Sequence, residues 1–245
     1  MLVDGGGLPG GNYIRGIRAG LDVGEDVVSP YLWARGLKRL DVVALTHAHE
    51  DHLGGLGAVL RNFRVGELWV GHDVDSAAYR ALLDEAHAHG VRVVHQLQGA
   101  TFDWGGLQVR ILWPDNDDPV GVASNDDSLV LRLQQGSESF LLAGDIERPV
   151  ENALLADRDA LPAAFLKVPH HGSRTSSTPP FIDAVHPQFA AISVGAFNAY
   201  GQPNDDVIER IGAEGAHVYR TDRDGAITTL TDGRSMDVRA FLEHR

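Results

Sequence analysis

The sequence predicts a layered α/β fold in a chain of 245 residues. Short apolar runs with strand character alternate with helical stretches, which is typical of packed layers of strands and helices. Hydrophobic residues make up 43% of the sequence, and a chain of this length can bury a large core. No convincing internal repeat or low-complexity linker divides it. We therefore expect a single domain over residues 1–245.

Capping residues and apolar periodicity predict the helices. Ser29 followed by Pro30 has the composition of an N-cap and a first helical turn. Asp75 or Ser76 caps a further helix, whose apolar stripe ends at Gly90. The predicted helices occupy residues 29–36, 54–63, 76–90, 149–156 and 205–211.

Apolar runs and glycine turns predict the strands. Gly105-Gly106 and Gly136-Ser137 are turn sequences, and each separates two strand-like runs as in a hairpin. Residues 114–123, rich in Asp and Asn, are expected to form a loop. The predicted strands occupy residues 42–45, 68–70, 91–94, 102–104, 107–113, 129–133, 140–143, 190–194 and 226–230, with further strands directly before His170 and near Val218.

Composition excludes several classes of protein. Acidic residues outnumber basic ones by 34 to 21, and the net charge of −13 has the wrong sign for a protein that holds nucleic acid by its whole surface. Cysteine is absent, which excludes disulfides and thiolate metal sites. No apolar stretch approaches the ~20 residues of a membrane helix, and no secretion signal is visible. We expect a soluble domain without a membrane segment. Its localisation stays open, an extracytoplasmic position as part of a membrane protein included.

The segment His47-Ala48-His49-Glu50-Asp51-His52 carries the strongest chemical signal. Imidazole is a neutral donor, and a carboxylate adds the negative charge that a divalent cation needs. The segment follows the predicted strand 42–45, and α/β sheets place ligands at the C-terminal ends of their strands. His47 and His49 point the same way by strand alternation, so one metal can take both. Asp51 and His52, on the following loop, suit a second metal.

This pattern resembles the metal-binding motif of the metallo-β-lactamase fold, and later segments match that family in the same order. Residues 141–145 read as a buried strand that delivers Asp145, and residues 166–173 as a strand that ends in a histidine pair. Finer matches are similar to the hydrolase domain at the C-terminal end of the ComEC DNA-uptake (competence) protein family. These matches lie at residues 124–131, 144–147, 167–173, 193–195, 198–201 and 219–227.

The resemblance spans nearly all of the chain and implies an α/β fold of four layers, the αββα metallo-β-lactamase sandwich. In that family two further strands precede the one at residues 1–3, so we expect this chain to lack the first N-terminal strands of the sandwich, either because it is a truncated fragment or because the open reading frame begins late. Asp4 follows that strand. We expect Asp4 to orient a metal-ligating histidine through its other ring nitrogen rather than to bind metal itself.

The same resemblance implies a centre of two divalent metal ions, Mn²⁺ or Zn²⁺. One pair of histidines serves the first metal, an aspartate and a histidine serve the second, and a further aspartate bridges the two. His171 is either a proton donor and phosphate contact or the ligand in place of His170. The implied metal ligands are His47, His49, Asp51, His52, Asp145 and His170.

One family ligand is missing from the sequence. The third histidine of the first metal aligns with residues 124–128, which contain no histidine. Asn125 or Asp126 can substitute through oxygen, or water can fill the position. An oxygen-richer shell favours manganese over zinc.

The resemblance implies a hydrolase in which two metal ions activate a water molecule, most simply a phosphodiesterase or deoxyribonuclease that degrades DNA during competence-linked uptake. Asp51 and His171 are the candidate catalytic residues. The expected partners are single-stranded DNA and the remainder of a membrane DNA-uptake protein. The alternatives are a stand-alone hydrolase of a small phosphodiester, ester, thioester or lactam, and a catalytically impaired binding domain. Lys167 is either a phosphate contact or an ordinary strand lysine, and packing is expected for Trp33.

Overall fold

A computed structural model describes residues 1–8, 20–116 and 121–242. The chain forms two compact units, one of Met1–Gln96 and Pro114–Leu129, the other of Leu97–Trp113 and Val130–Arg245. Strands and helices occur in both units, as the predicted α/β class requires. The single domain over residues 1–245 stays a prediction.

The first unit is built on a parallel sheet in the order β1-β2-β3-β4. Parallel strands are covered on both faces and therefore read as continuous apolar runs. The predicted strand 42–45 fits this rule, because all four of its residues are buried. The elements are β1 (Leu2–Val3), α1 (Ser29–Ala34), β2 (Arg39–Ala44), α2 (Glu50–Leu53), α3 (Leu56–Asn62), β3 (Arg64–Val70), α4 (Ala77–Ala88) and β4 (Arg92–His95).

The predicted N-cap at Ser29 is wrong. Ser29 already has helical dihedral angles, because a π-helical turn at Gly24–Val28 runs directly into α1. The capping side chain is Asp22, whose Oδ1 accepts hydrogen bonds from the backbone N–H groups of Gly24 (2.8 Å) and Glu25 (3.1 Å). The cap predicted at Ser76 is confirmed, since its Oγ accepts from Tyr79 N.

The loop predicted for Asp51 and His52 is also wrong. Both residues lie in α2, a single helical turn that begins after the extended His49. The predicted helix 54–63 is shorter than expected and covers α3, Leu56–Asn62. Thus the metal-motif residues lie on the loop after β2, which ends at Ala44, and on the short helix that follows it.

The second unit holds a mixed sheet in the order β11-β10-β9-β8-β7-β6-β5. β8 to β11 pair in parallel. β5 to β8 pair antiparallel, and the pairs β5–β6 and β7–β8 are the two predicted hairpins. The elements of this sheet and its helices are β5 (Thr101–Trp104), β6 (Leu107–Trp113), β7 (Val130–Gln135), β8 (Glu138–Leu142), α5 (Arg148–Leu154), β9 (Phe165–Lys167), α6 (Pro179–Val185), β10 (Phe189–Ile192), α7 (Asp205–Ala213), β11 (His217–Arg220) and α8 (Thr221–Asp224).

A separate antiparallel hairpin, β12 (Ile227–Thr231) and β13 (Met236–Ala240), completes the described part of this unit. The sequence did not predict β13 or α6. The start of α6 carries a usable signal, because Pro179 and Pro180 occupy the first helical turn. Of the predicted loop 114–123, residues 117–120 lie outside the described residues.

A buried carboxylate anchors the loop that follows β9. Glu151 on α5 is fully buried and accepts hydrogen bonds from the backbone N–H groups of Ser177 and Thr178. Ser177 has a left-handed φ of 57°. Residues in this region are strained unless their surroundings hold them, so Glu151 fixes the loop conformation.

We expect Glu151→Gln to change how stability depends on pH. Burial raises the pKa of Glu151. A raised folded-state pKa means that this group's contribution to stability is fully present below its unfolded pKa and is lost as pH rises through the folded pKa. The melting temperature of the variant relative to the parent should therefore increase from about pH 4 to pH 7. Glu209→Gln, at an exposed position on α7, is the control, and a pH-independent difference would contradict this prediction.

Candidate metal centre

Three histidines meet at the C-terminal end of β2. The imidazoles of His47 and His52 are buried, with 3% and 4% exposure, and their ring centroids lie 4.2 Å apart. His47 Nε2 faces His49 Nδ1 at 3.0 Å. Two nitrogens bonded at about 2.1 Å to one tetrahedral ion lie about 3.4 Å apart, so these two ring nitrogens are spaced to share an ion.

Asp4 lies behind this cluster and orients it. Its Oδ2 is 2.7 Å from Nδ1 of His52 and accepts a hydrogen bond of 2.9 Å from the Thr46 hydroxyl. Its Oδ1 accepts from Thr46 N at 2.8 Å. Because a carboxylate only accepts, Nδ1 of His52 carries the proton and Nε2 keeps the lone pair. The contact predicted between Asp4 and a histidine ring nitrogen is confirmed, and Asp4 adopts a left-handed φ of 58° to make it.

Asp51 supplies the carboxylate of this cluster. It lies in the first turn of α2, is partly exposed, and its Oδ2 is 3.9 Å from Nε2 of His52. The first unit therefore brings together four of the six predicted metal ligands, in the two pairs that the sequence predicts. They are His47, His49, Asp51 and His52.

The turn at residues 124–128, which contains no histidine, places hydroxyl and carboxylate groups near His47. Ser128 Oγ lies 3.3 Å from Nδ1 of His47. Asp127 caps the turn through Ser124 N at 2.7 Å, and burial raises its pKa. Asp127 also lines a small cavity of about 10 Å³ together with His47 and His72. Sequence reasoning missed Ser128 and Asp127, and their only signal was their place in the aligned turn. Asn125 and Asp126 stay predictions as oxygen ligands.

Asp145 and His171 form the corresponding pair in the second unit. Asp145 is 2% exposed, and its Oδ2 is 3.2 Å from Nε2 of His171. Nδ1 of His171 lies 2.6 Å from the carbonyl of Ser193, which can only accept, so Nδ1 carries the proton and Nε2 keeps the lone pair. Lys167 contacts Asp145 Oδ1 at 3.3 Å and the Gly144 carbonyl at 3.0 Å, so its contacts are internal to this unit.

His170 faces a different set of groups. Its Nδ1 is 3.1 Å from Glu147 Oε1 and 3.3 Å from Thr175 Oγ1. Burial lowers the pKa of His170, while Asp145 and Glu147 act in the opposite direction. The sequence left the order of the histidine pair open, and the structure places His171 against Asp145. Glu147 was not singled out from the sequence, although the match at residues 144–147 contains it.

Strained backbone separates the two rings. His170 and His171 have left-handed φ values of 48° and 54°, and Gly172 follows with 77°. Two consecutive non-glycine residues in this region cost on the order of 1–3 kcal/mol each, and such strain clusters at functional sites. The turn is what directs the neighbouring imidazoles to different partners.

The donors in each unit fit a divalent metal ion. Each unit presents imidazole nitrogens and a carboxylate, without thiolate, which suits Zn²⁺ or Mn²⁺. A carboxylate or a carbonyl lies behind the ring nitrogen of His52 and of His171, as is usual for metal-ligating histidines.

Comparisons with known proteins agree with this chemistry. Residues 1–195 match the family model described as the metallo-beta-lactamase superfamily. The chain is 34% identical over 206 residues to ComE operon protein 3 of Bacillus subtilis, covering 84% of this chain and 26% of that protein. It is 31% identical over 201 residues to competence protein ComA of Neisseria gonorrhoeae, covering 82% and 26%. The chain thus spans about a quarter of the length of these relatives.

A solved structure has a similar fold. The metallo-beta-lactamase fold protein YhfI from Bacillus subtilis superposes with a TM-score of 0.55 and 13% identity, over 89% of this chain and 94% of that one. Among residues 1–8, 20–116 and 121–242, no helix has the length and apolar character needed to cross a membrane.

Proposed function

Because the chain belongs to the metallo-β-lactamase superfamily, we propose that it is a metal-dependent phosphodiesterase that degrades single-stranded DNA during competence-linked uptake. The observation that carries the proposal is the pair of His47 and His49 nitrogens at the end of β2, beside a histidine held by Asp4. The substrate is inferred from the resemblance to DNA-uptake proteins, and one relative of this chain is named competence protein ComA. By the same reasoning, the remainder of a membrane DNA-uptake protein is the proposed partner.

The predicted fold class and resemblance are confirmed. The family match over residues 1–195 and the likeness to YhfI show the metallo-β-lactamase fold. The similarity to ComE operon protein 3 and to ComA supports the branch predicted from the finer motifs. Members of this superfamily are generally hydrolases. For this chain we propose phosphodiester cleavage with two bound divalent ions and a preference for Mn²⁺.

We assign the metal ligands to six residues in two groups. When bound, two divalent ions lower the pKa of a water molecule and neutralise charge that builds on a phosphoryl oxygen. In the first group the lone pair of His52 Nε2 is kept available because Asp4 holds the Nδ1 proton. In the second group Ser193 does the same for His171. The proposed ligands are His47, His49, Asp51, His52, Asp145 and His171, with His171 replacing His170.

His170 is then the proposed proton donor. Its Nδ1 contacts Glu147 and Thr175, and the Glu147 carboxylate partly offsets the lowering of the His170 pKa by burial. A protonated His170 can donate to the leaving oxygen of a cleaved phosphodiester. This reverses the roles that the sequence analysis gave to the two histidines, within the alternative that it left open.

Activity of the metal-stripped chain tests the proposal. We expect cleavage of a single-stranded oligonucleotide and of a chromogenic phosphodiester on addition of Mn²⁺, with less activity on addition of Zn²⁺. Chromogenic lactam, ester and thioester substrates form the control panel. Hydrolysis of one of these control substrates without phosphodiester cleavage would overturn the assignment as a phosphodiesterase. Full activity with stoichiometric Zn²⁺ and none with Mn²⁺ would overturn the metal preference.

Asp4→Asn is expected to weaken metal binding by about 10- to 100-fold, as is usual when the partner of a ligating histidine is removed. The amide keeps an acceptor for Thr46 N but presents N–H donors where His52 Nδ1 needs an acceptor. Calorimetric titration with Mn²⁺ measures the affinity, and melting of the metal-free protein reports any structural effect. Asp41→Asn, at an exposed aspartate on β2, is the matched control. Equal affinities in the variant and the parent would contradict the role of Asp4.

A further inference from the structure

A groove of about 700 Å³ opens in the first unit at the starts of β2 and β3. Aromatic and cationic side chains dominate its lining, and we call it the aromatic–basic groove. We propose that it binds single-stranded nucleic acid, with a base against Trp33 and backbone phosphates on Lys38 and Arg64. This inference rests on the proposed function, since it names a second contact for the same substrate. The lining residues include Trp33, Lys38, Arg61, Phe63, Arg64 and His89.

Trp33 provides a stacking surface. It stacks on Phe63 with ring centroids 5.7 Å apart and an interplanar angle of 29°. Phe63 is 6% exposed, whereas Trp33 is 48% exposed, so the packing expected for Trp33 is only partial. A large aromatic side chain that is held in place on one side and exposed on the other is the arrangement on which unpaired bases stack. The volume of the aromatic–basic groove also lies within the usual range for ligand pockets.

The cations of the groove divide into paired and available groups. Arg61 forms ion pairs with Glu25 at 3.4 Å and with Glu85 at 3.6 Å. His89 also pairs with Glu85, at 3.0 Å. Arg61 and His89 are therefore already engaged with carboxylates.

Lys38 and Arg64 remain for a ligand. Both are exposed, and neither has an acidic partner among the residues that the structure describes. The backbone N–H of Arg64 donates to the Lys38 carbonyl at 3.2 Å, so Lys38, directly before β2, lies beside Arg64 at the start of β3. In a chain of net charge −13, this is a local concentration of positive charge beside an aromatic ring, which is the chemistry of single-stranded nucleic-acid sites.

The groove and the histidine cluster lie at opposite ends of β2. This strand has six residues, so about 20 Å separates its two ends. At roughly 3.4 Å per stacked nucleotide, a strand bound at both places spans at least about six nucleotides, because both sites lie beyond the ends of β2. The groove should therefore matter for long substrates and not for a small chromogenic phosphodiester.

Fluorescence anisotropy tests the groove separately from catalysis. The full chain, with metal removed by chelation, is titrated against a labelled single-stranded oligonucleotide of about 20 nucleotides. We expect Trp33→Ala to weaken binding about ten-fold, and the double variant Lys38→Glu with Arg64→Glu to weaken it by as much and to reduce its salt dependence. The controls are Trp104→Ala, at an exposed tryptophan of β5, and Arg234→Glu, at an exposed arginine, both with parental affinity.

The outcomes separate this inference from the proposed function. Parental affinity in both groove variants would overturn the groove, even if Mn²⁺-dependent cleavage is found. Oligonucleotide binding that depends on the groove, without any cleavage, would support the groove and overturn the nuclease. The double variant changes only exposed side chains, so it decides the matter if Trp33→Ala unfolds. A change of oligomeric state in the groove variants, measured by sedimentation, would identify the groove as a contact between copies and overturn the inference.

Discussion

Replacing His47 or Asp51 with alanine should abolish hydrolysis, with kcat reduced by at least about 1000-fold. Each substitution removes one proposed metal ligand, and transition-state stabilisation by a bound ion is worth several kcal/mol, where each ~1.4 kcal/mol is a factor of ten. Both residues lie beyond the end of β2, outside its hydrogen-bonded pairs. The fold should therefore persist in both metal-free variants, with a lower melting temperature for His47→Ala because its imidazole is buried.

Turnover of a chromogenic phosphodiester and metal content by mass spectrometry check this together. His87→Ala and Asp84→Ala, two exposed positions on α4, are the matched controls and should retain full activity. Parental activity in His47→Ala or in Asp51→Ala, with metal content verified, would show that the histidine cluster is not the catalytic centre.

The second large effect should distinguish the two histidines of the strained turn. We expect His171→Asn to lose metal and at least about 1000-fold in kcat, because His171 Nε2 is the nitrogen beside Asp145. His170→Asn should keep the metal and lose about 100- to 10,000-fold in kcat as a proton donor. Asparagine is the suitable replacement, since it tolerates the left-handed backbone of both positions better than alanine does.

Metal content separates the two roles more clearly than activity does. A His170→Asn protein that loses metal while His171→Asn keeps it would reverse the assignment and restore His170 as the ligand. His186→Asn, at an exposed histidine that is also left-handed, is the matched control for the backbone and should behave as the parent.

Much of the first unit could be predicted from local patterns. The buried run 42–45 depends only on neighbouring residues, which a sequence displays directly. The strand alternation predicted for His47 and His49 is wrong, because β2 ends at Ala44 and both histidines lie on the loop after it. The short helix α2 could not be predicted, because its four residues lie below the length at which apolar periodicity is detectable. The contact between Asp4 and His52, 48 residues apart, was predicted only as a role and needed the structure to name the histidine.

The order of His170 and His171 shows a different limit. Both residues are histidines, so composition and spacing cannot separate them. Their partners differ because both residues have left-handed backbone conformations, which non-glycine residues rarely adopt. No sequence pattern predicts this conformation here. The tautomer of His171 is set by the backbone carbonyl of Ser193. Every residue type has such a carbonyl, so the sequence does not indicate which residue provides it.

The position of β2 between β1 and β3 limits which insertions and deletions this protein can accept during evolution. Hydrogen bonds on both sides lock its register, with Val43 opposite Leu2 and Leu68. Inserting or deleting one residue in the strand would turn every following side chain to the other face. Either His47 and His49 would then leave the cluster or, if that end keeps its register, Lys38 would lose its alignment with Arg64 at the other end. Length changes should therefore be absent from residues 39–49 of functional descendants, while substitutions that preserve the count accumulate around them.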